Sequence, residues 1–548
     1  MKKPTLKAPS LKAPNLKAPS LKRPDFSGSP LGGSRTGQSL LAGAAVLAVV
    51  FGIAELRPPV APGTVEKAGG ATMTQVERTS LVCPQPLQGV IGSTSLTLFS
   101  PAGSGGEGTA GLRDAVPPAA APTPAAQPSG QPASPAAGQA PAAAPDPMAD
   151  ARVKLAKPGV PATGPAANGD TAPGAVAVAT GGYAPGFTVT QTTTTEQGGA
   201  ALSGTACAPS GTSFWFTGAS TAGDRVDYVS LVNADTVPAV VDLRLYGDKG
   251  LIDNELAAGI AVAPGSSQAL RLSTLSKGPV SDLAVQVVAR SGRVGAAVRA
   301  ADGAKGADWL PASAPPAASV TVPGLPADTA TARLVVAAPA EDDADLKIQV
   351  SGKNGWFVPA GHESIHVKAG MVEAVDLGQV TRGQEVGAIR LTPSDPAHPT
   401  PVVAGVRVDR TNKGKSEAAW LAGSVPVGKR ASIADNRAGQ TTLLLTAVDD
   451  AATVKVTASA GTNGGEPQTK EVQVPGGGTV AVEGIDPAGL NGTYGITVET
   501  VSGTVAAARM LAVPVKDAPT FTIQPLHDDR STVRVPHTAD DPAVLLQP

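Results

Sequence analysis

From Phe187 onward the chain is built of short runs in which apolar and polar residues alternate, broken by Gly, Pro, Asp and Asn. Alternation with a period of two is the mark of a strand with one buried face, and almost no stretch has the 3.6-residue period of a long amphipathic helix. The runs recur in register. YVSLVNADTVPAVVDLRLYGDKG (228–250) corresponds to RLVVAAPAEDDADLKIQVSGKNG (333–355) and to TLLLTAVDDAATVKVTASAGTNG (442–464). Each is a strand, an acidic or Asn-bearing turn, a second strand and a Gly-containing turn. A middle run (260–272, 365–377, 472–484) and a last hairpin (283–300, 387–408, 495–510) repeat in the same way. A period near 105 residues with about seven short strands predicts tandem immunoglobulin-like β-sandwich modules.

Tryptophan marks the end of the hairpin in DWLPAS (Trp309) and AWLAGS (Trp420), and FWFTGAS (Trp215) has the same shape. On this reading an earlier unit ends at Trp215, and Met510-Leu511 takes the tryptophan's place in the last unit. The three tryptophans are expected to be structural plugs in the core or between modules, because large aromatics dominate packing where aromatics are scarce.

Before the repeats the pattern changes. Gly37–Ala54 (GQSLLAGAAVLAVVFGIA) carries no charge. As a helix it would be about 27 Å long, enough to cross a bilayer core. Residues 1–38 hold eight basic residues and one acid, a net +7, which leaves −9 for the remainder of a chain whose net charge is −2. The basic side is the N-terminal side, so residues 37–56 are expected to cross the cell membrane with the N-terminus cytoplasmic and the C-terminus outside. Gly52-Ile53-Ala54 also reads as a signal-peptide cleavage site, which would give a secreted protein cut near Ala54; the long n-region favours the uncleaved anchor. The tail repeats LKAPS, LKAPN, LKAPS and LKRPD, and a Pro every fifth residue excludes a regular helix. Its Lys7, Lys12, Lys17 and Lys22 suit contact with anionic lipid headgroups.

From Pro101 to about Pro185 the chain is Ala/Pro/Gly-rich without period, and a disordered insertion is expected there. Gly (64) and Pro (52) exceed one fifth of the chain, which fits turn-rich β modules. The only cysteines, Cys83 and Cys207, bracket the insertion on the side placed outside the cytoplasm, so a disulfide holding a split first domain is expected.

The domains expected are therefore a disordered basic tail (1–36), a membrane helix (37–56) and a spacer (57–75). Four sandwiches follow: 76–218 with the insertion 101–185, 219–322, 323–427 and 428–527. A flexible tail (528–548) ends the chain.

Candidate chemistry is sparse. His362-Glu363-Ser364-Ile365-His366 matches H-E-x-x-H, which binds zinc when a helix sets both histidines on one face. Here Pro359 and Gly361 precede it, and Ile365-His366-Val367 aligns with the β-alternating Ile260-Ala261-Val262 and Val472-Gln473-Val474. On a strand the two histidines would be about 13 Å apart, so zinc catalysis is not expected. The acidic turn 341–345 lacks the spaced calcium-loop pattern and reads as a solvated turn. No catalytic residue, cofactor or metal site is assigned, and without a basic stripe on the body nucleic acid is not expected as a partner.

The basic head and single anchor, LVCPQP around Cys83, CAPSGTSFWFTG from Cys207 and the tandem β repeats together resemble a family of uncharacterised actinobacterial envelope proteins, over about residues 40–525. The resemblance implies no catalytic residues. The expectation is a non-enzymatic envelope protein whose sandwiches form a binding or scaffolding stalk for cell-wall glycan or for an envelope protein such as a glycan-assembly enzyme. A hydrolase of wall polymer or peptide, and a sensor signalling through the basic tail, are the alternatives.

Overall fold

The computed structural model describes residues 72–535, except 87–91, 104–105, 117–147, 149, 168–171, 196–200, 382–384 and 516. The expected membrane span at 37–56, and Lys7, Lys12, Lys17 and Lys22, lie outside the described residues. Among the described residues no helix is long and apolar enough to cross a membrane. Met73–Val535 form one compact unit.

The described chain is all-β, with helical turns limited to short 3-10 segments. Strand β1 is Thr72–Gln75. The first sandwich holds β2 (Arg78–Cys83), β3 (Gly92–Phe99), β4 (Ala110–Asp114), β5 (Val153–Lys154), β6 (Ala162–Pro165), β7 (Ala175–Thr180), β8 (Thr188–Thr195) and β9 (Ala201–Ala206). The second holds β10 (Ser213–Ala219), β11 (Tyr228–Asn233), β12 (Ala239–Gly247), β13 (Gly250–Ile252), β14 (Ile260–Val262), β15 (Ser266–Arg271), β16 (Leu283–Ser291), β17 (Gly295–Ala301) and β18 (Ala307–Leu310). The third holds β19 (Val320–Leu325), β20 (Thr329–Ala337), β21 (Ala344–Gly352), β22 (Gly355–Phe357), β23 (Ser364–Val367), β24 (Val372–Gly378), β25 (Gly387–Pro393), β26 (Val403–Asn412) and β27 (Lys415–Ala422). The fourth holds β28 (Arg430–Asn436), β29 (Thr441–Ala447), β30 (Ala452–Gly461), β31 (Gln468–Val474), β32 (Thr479–Val482), β33 (Tyr494–Ser502), β34 (Val505–Ala512) and β35 (Phe521–Leu526). Strand β36 (Thr532–Val535) pairs with β1.

All four sandwiches share one topology. The first pairs its sheets as β2-β7-β4-β5 and β6-β3-β8-β9; the fourth has β28-β33-β30-β31 and β32-β29-β34-β35. The second and third repeat the pattern, with β14 and β23 as extra strands on β12 and β21. Alternation sets which face is buried. In β12, Val241, Leu243 and Leu245 point into the core, while Asp242 and Arg244 point out. Each core is filled from both of its sheets: Leu334 and Val336 meet Ile348 and Ile389 in the third, and Leu443 and Leu445 meet Val454 and Ile496 in the fourth. Each such side chain contributes about 1.5–3 kcal/mol when removed from water.

The repeats do not form an extended stalk. Strand β9 lies against β18 and β35, and β27 lies against the same two, so the last strands of the four sandwiches meet around one axis. Towards the rim, the first strand of one sandwich packs on the penultimate strand of the next, as in β10 on β26, β19 on β34 and β28 on β8. The last of these closes the fourth sandwich onto the first. A Cβ on Gly495 would stand 2.6 Å from the ring of Phe99, so that closure needs a glycine.

Several expected boundaries are corrected. Trp215 lies on β10, opposite Gln286 of β16, and so belongs to the second sandwich's first strand. The first sandwich ends with β9, not at 218. Strands β4 to β7 fall within the expected insertion 101–185, of which only 117–147 and a few shorter stretches lie outside the described residues. Ala175–Thr180 (AVAVAT) was unreadable as a strand because it is buried on both faces: Ala177 faces its own core, while Val176 and Val178 pack with Val232 of the second sandwich. Part of the expected spacer is β1, and part of the expected C-terminal tail is β36. Asp528 and Asp529 secure the approach to β36, accepting from the Lys429 N–H at 2.8 Å and from Arg430 at 2.5 Å.

Candidate functional site

The sandwiches are joined by charged and aromatic side chains at their junctions. Cross-strand register makes Arg299–Trp309, Arg407–Trp420 and Met510–Ile523 corresponding pairs on β17–β18, β26–β27 and β34–β35. In the fourth sandwich Ile523, not Met510-Leu511, takes the tryptophan's place. These outward residues enter the neighbour's core. Trp420 packs in the second sandwich's hydrophobic cluster, and Phe521 and Ile523 pack in the third's. Trp309 packs on Ala297 and borders a small pocket with Gln85 and Pro86 of the first. Trp215 stacks near Tyr246, 5.5 Å between centroids, in a cluster that includes Val335 and Val372 of the third sandwich. All three predicted tryptophans are buried at junctions.

Around Trp420 a buried ionic network spans the second and third sandwiches. Arg225 donates to both oxygens of Asp227, at 3.2 and 2.8 Å, and to Gly218 O at 3.2 Å. Burial raises the Asp227 carboxyl to about 6 against the pull of Arg225. Arg407 pairs with Asp302 at 2.5 Å and Asp409 at 3.1 Å, and Lys305 reaches Asp409 at 2.7 Å.

At the axis two carboxyls are sealed. Asp308 accepts from Gly204 N (2.9 Å), Trp309 N (2.8 Å) and Thr522 Oγ1 (3.0 Å), joining β18 to β9 and β35. Glu417 accepts from Leu202 N at 3.3 Å across the axis. Desolvation pushes Asp308 well above the carboxylate range and Glu417 up to about 9, with the nearby Asp308 adding to the second shift. Perturbed carboxyls often mark catalytic sites. Here Asp308 is 0% and Glu417 1% exposed, so both are closed off from solvent in this structure.

A concave surface open to solvent lies farther out, between the second and third sandwiches. It is a cleft of about 700 Å³. Its floor carries Asp282 and Arg333, one from each sandwich, in a two-pronged pair at 3.0 and 2.8 Å. The hydrogen bonds that Arg333 donates to Asp282 hold its guanidinium above its usual range. Asp248, Lys249, Asp253 and Lys277 line one wall and Glu373 the other. At the next junction the corresponding place is bridged. Trp356, from β22, donates Nε1–H to Val448 O of the fourth sandwich at 2.9 Å beneath Arg390, 4.5 Å from its ring. The residue matching Trp356 in β13 is Leu251, which is 56% exposed between the cleft-lining Gly250 and Ile252. Sequence reasoning missed both residues; the matched hairpin glycines Gly250 and Gly355, each at positive φ, were the available signal.

The H-E-x-x-H segment is a turn followed by β23. Ile365 and Val367 are buried, and Ser364 and His366 face out. His366 Nδ1 lies 2.8 Å from Asp345 Oδ1 and Nε2 3.6 Å from Asp343, both from the acidic turn region, and His362 is not in this cluster. Among the described residues no group of three or more His, Cys, Asp or Glu is placed to hold a metal ion. Cys83 and Cys207 form a disulfide across 124 residues, tying the end of β2 to the exit from β9 beside the Val82–Ala208 bridge.

A family of unknown function, DUF5719, matches residues 162–484, more than half of the chain. The match opens at β6 of the first sandwich and closes before β33 of the fourth, a narrower span than 40–525. No curated protein and no solved structure matches.

Proposed function

We propose, for a chain that belongs to the DUF5719 family, that it is a non-enzymatic binding and scaffold protein of the bacterial cell envelope. Residues 37–56 would anchor it in the cell membrane, N-terminus cytoplasmic, with the immunoglobulin-like ring outside and Lys7, Lys12, Lys17 and Lys22 at anionic headgroups. The reading rests on one observation. The strongly perturbed carboxyls, Asp308 and Glu417, are locked inside the ring axis, whereas the open cleft presents a paired Asp282–Arg333 floor and no acid–base couple poised on a nucleophile. That is the arrangement of a rigid platform that holds a partner. The partner in this reading is an envelope protein, in the service of cell-wall glycan assembly.

In-cell crosslinking of the exported part, followed by identification of what is captured, tests it. A reproducible envelope protein is expected. Recovery of generic wall material alone overturns the specific-partner reading. Loss of function from a single Asp, Glu or His substitution in a folded ring would point to a hydrolase. Deleting residues 2–36 should leave the scaffold's function intact; its abolition would point to signalling through the tail.

A further inference from the structure

We propose that the cleft between the second and third sandwiches takes an extended peptide segment of a partner protein, one that carries both a basic and an acidic side chain. This deepens the binding reading above and rests on it.

The cleft is walled by strand edges. Among the described residues β24 pairs only with β20, and β13 only with β12. Val372, Glu373 and Ala374 of β24 face Gly250 and Ile252 of β13 across the opening. Ala338 N donates to Met371 O, and Gly370 N to Ala338 O. Antiparallel ladders alternate, so Val372 and Ala374, opposite Ala337 and Val335, direct their N–H and C=O groups away from β20 and into the cleft. An extended chain satisfies such groups with its own backbone, which is how peptides add to sheet edges.

The side chains define the occupant further. Glu373 stands on the β24 wall and receives a basic group. On the opposite wall, which also carries Asp248 and Asp253, Lys249 and Lys277 receive an acidic one. Among the described residues no aromatic ring lines the cleft as a platform for a sugar, and Trp215 and Tyr246 are buried in a cluster with Val372. The neighbouring junction supplies the contrast. There the corresponding place is bridged from within the protein by Trp356, and here the matching residue is the shorter, exposed Leu251, between the cleft-lining Gly250 and Ile252.

The full-length chain in detergent, immobilised and panned against a displayed random heptapeptide library, tests the proposal. Enriched peptides should carry at least one basic and one acidic residue. By fluorescence anisotropy they should bind Leu251→Trp, which copies the plug of the next junction, at least tenfold more weakly. Glu373→Lys should lose binding of the same peptides, while Trp356→Ala, at the other junction, should retain it. Melting of each variant near that of the unaltered protein shows that the ring is folded. Peptides that bind Leu251→Trp as well as the unaltered chain, or no enrichment at all, overturn the proposal. Sedimentation of the chain with purified wall glycan, lost in Leu251→Trp while no peptide binds, would overturn both the peptide assignment and the protein partner, and leave standing only that the chain is a binding protein.

Discussion

The indole of Trp420, on the last strand of the third sandwich, lies 5.0 Å from the guanidinium of Arg225 in the second. Arg407 of its own sandwich stands 5.7 Å from the same ring. A ring held near one buried and one half-buried cation, neutralised by Asp227 and by Asp302 and Asp409 respectively, joins the modules through both cation–π attraction and packing. Trp420→Ala would leave a cavity at the second–third junction and uncover Arg225. A loss of about 3–5 kcal/mol is expected, measured by denaturant unfolding. Trp420→Phe should lose distinctly less.

Glu417 makes stability depend on pH in a direction opposite to most carboxylates. Its pKa in the fold is raised from 4.5 to about 9. The unfolded chain therefore gives up a proton that the folded chain keeps. Stability is fullest below about pH 4.5 and falls as pH rises towards 9, by up to about 1.4 kcal/mol per pH unit. Asp308 acts in the same direction. Glu417→Gln removes the ionisation but keeps an acceptor for Leu202 N. It should raise the unfolding free energy at pH 7.5, by on the order of 4 kcal/mol, and flatten the pH profile between 5 and 9. An unchanged profile would reject the assignment.

The disulfide closes a loop of 124 residues within the first sandwich. Chain entropy assigns it about 5 kcal/mol. The Cys83→Ser, Cys207→Ser double variant should melt at a lower temperature, with proteolysis beginning in the first sandwich. The fourth sandwich is expected to remain protected longest, because its core draws on none of the residues that the bond ties together.

Gly495 faces Phe99 where the fourth sandwich closes on the first, with no room for a Cβ. Gly495→Ala should destabilise by about 1–3 kcal/mol through overpacking. Hydrogen exchange should rise in β8 and β28, which meet at that closure, and not at the second–third junction.

His366 faces out from a strand and pairs with Asp345, and His362 sits in the preceding turn. Elemental analysis of the purified protein should find no stoichiometric zinc. His362→Ala and His366→Ala should leave both metal content and stability within error, as expected for exposed side chains.

The sequence by itself determined the class of the fold, the repeat and the cysteine pairing. Alternation in runs such as 239–247 is a local property, because each strand needs one face dry. The same alternation showed that Ile365 and Val367 are core positions and removed the zinc motif. It failed where a strand is buried on both faces. Ala175–Thr180 shows no alternation, since its outer face is covered by the second sandwich, and that cover is a product of the ring. It also misassigned Trp215, because a tryptophan opening one module and a tryptophan closing another read alike until hydrogen bonds to β16 separate them. Only tertiary structure decided that the four modules close into a ring, that Asp308 and Glu417 meet strands from other modules at its axis, and that Trp356 bridges its junction where the matching Leu251 is exposed. These are relations between residues up to several hundred positions apart. They depend on how repeated units turn relative to one another, which no local pattern of polar and apolar residues encodes.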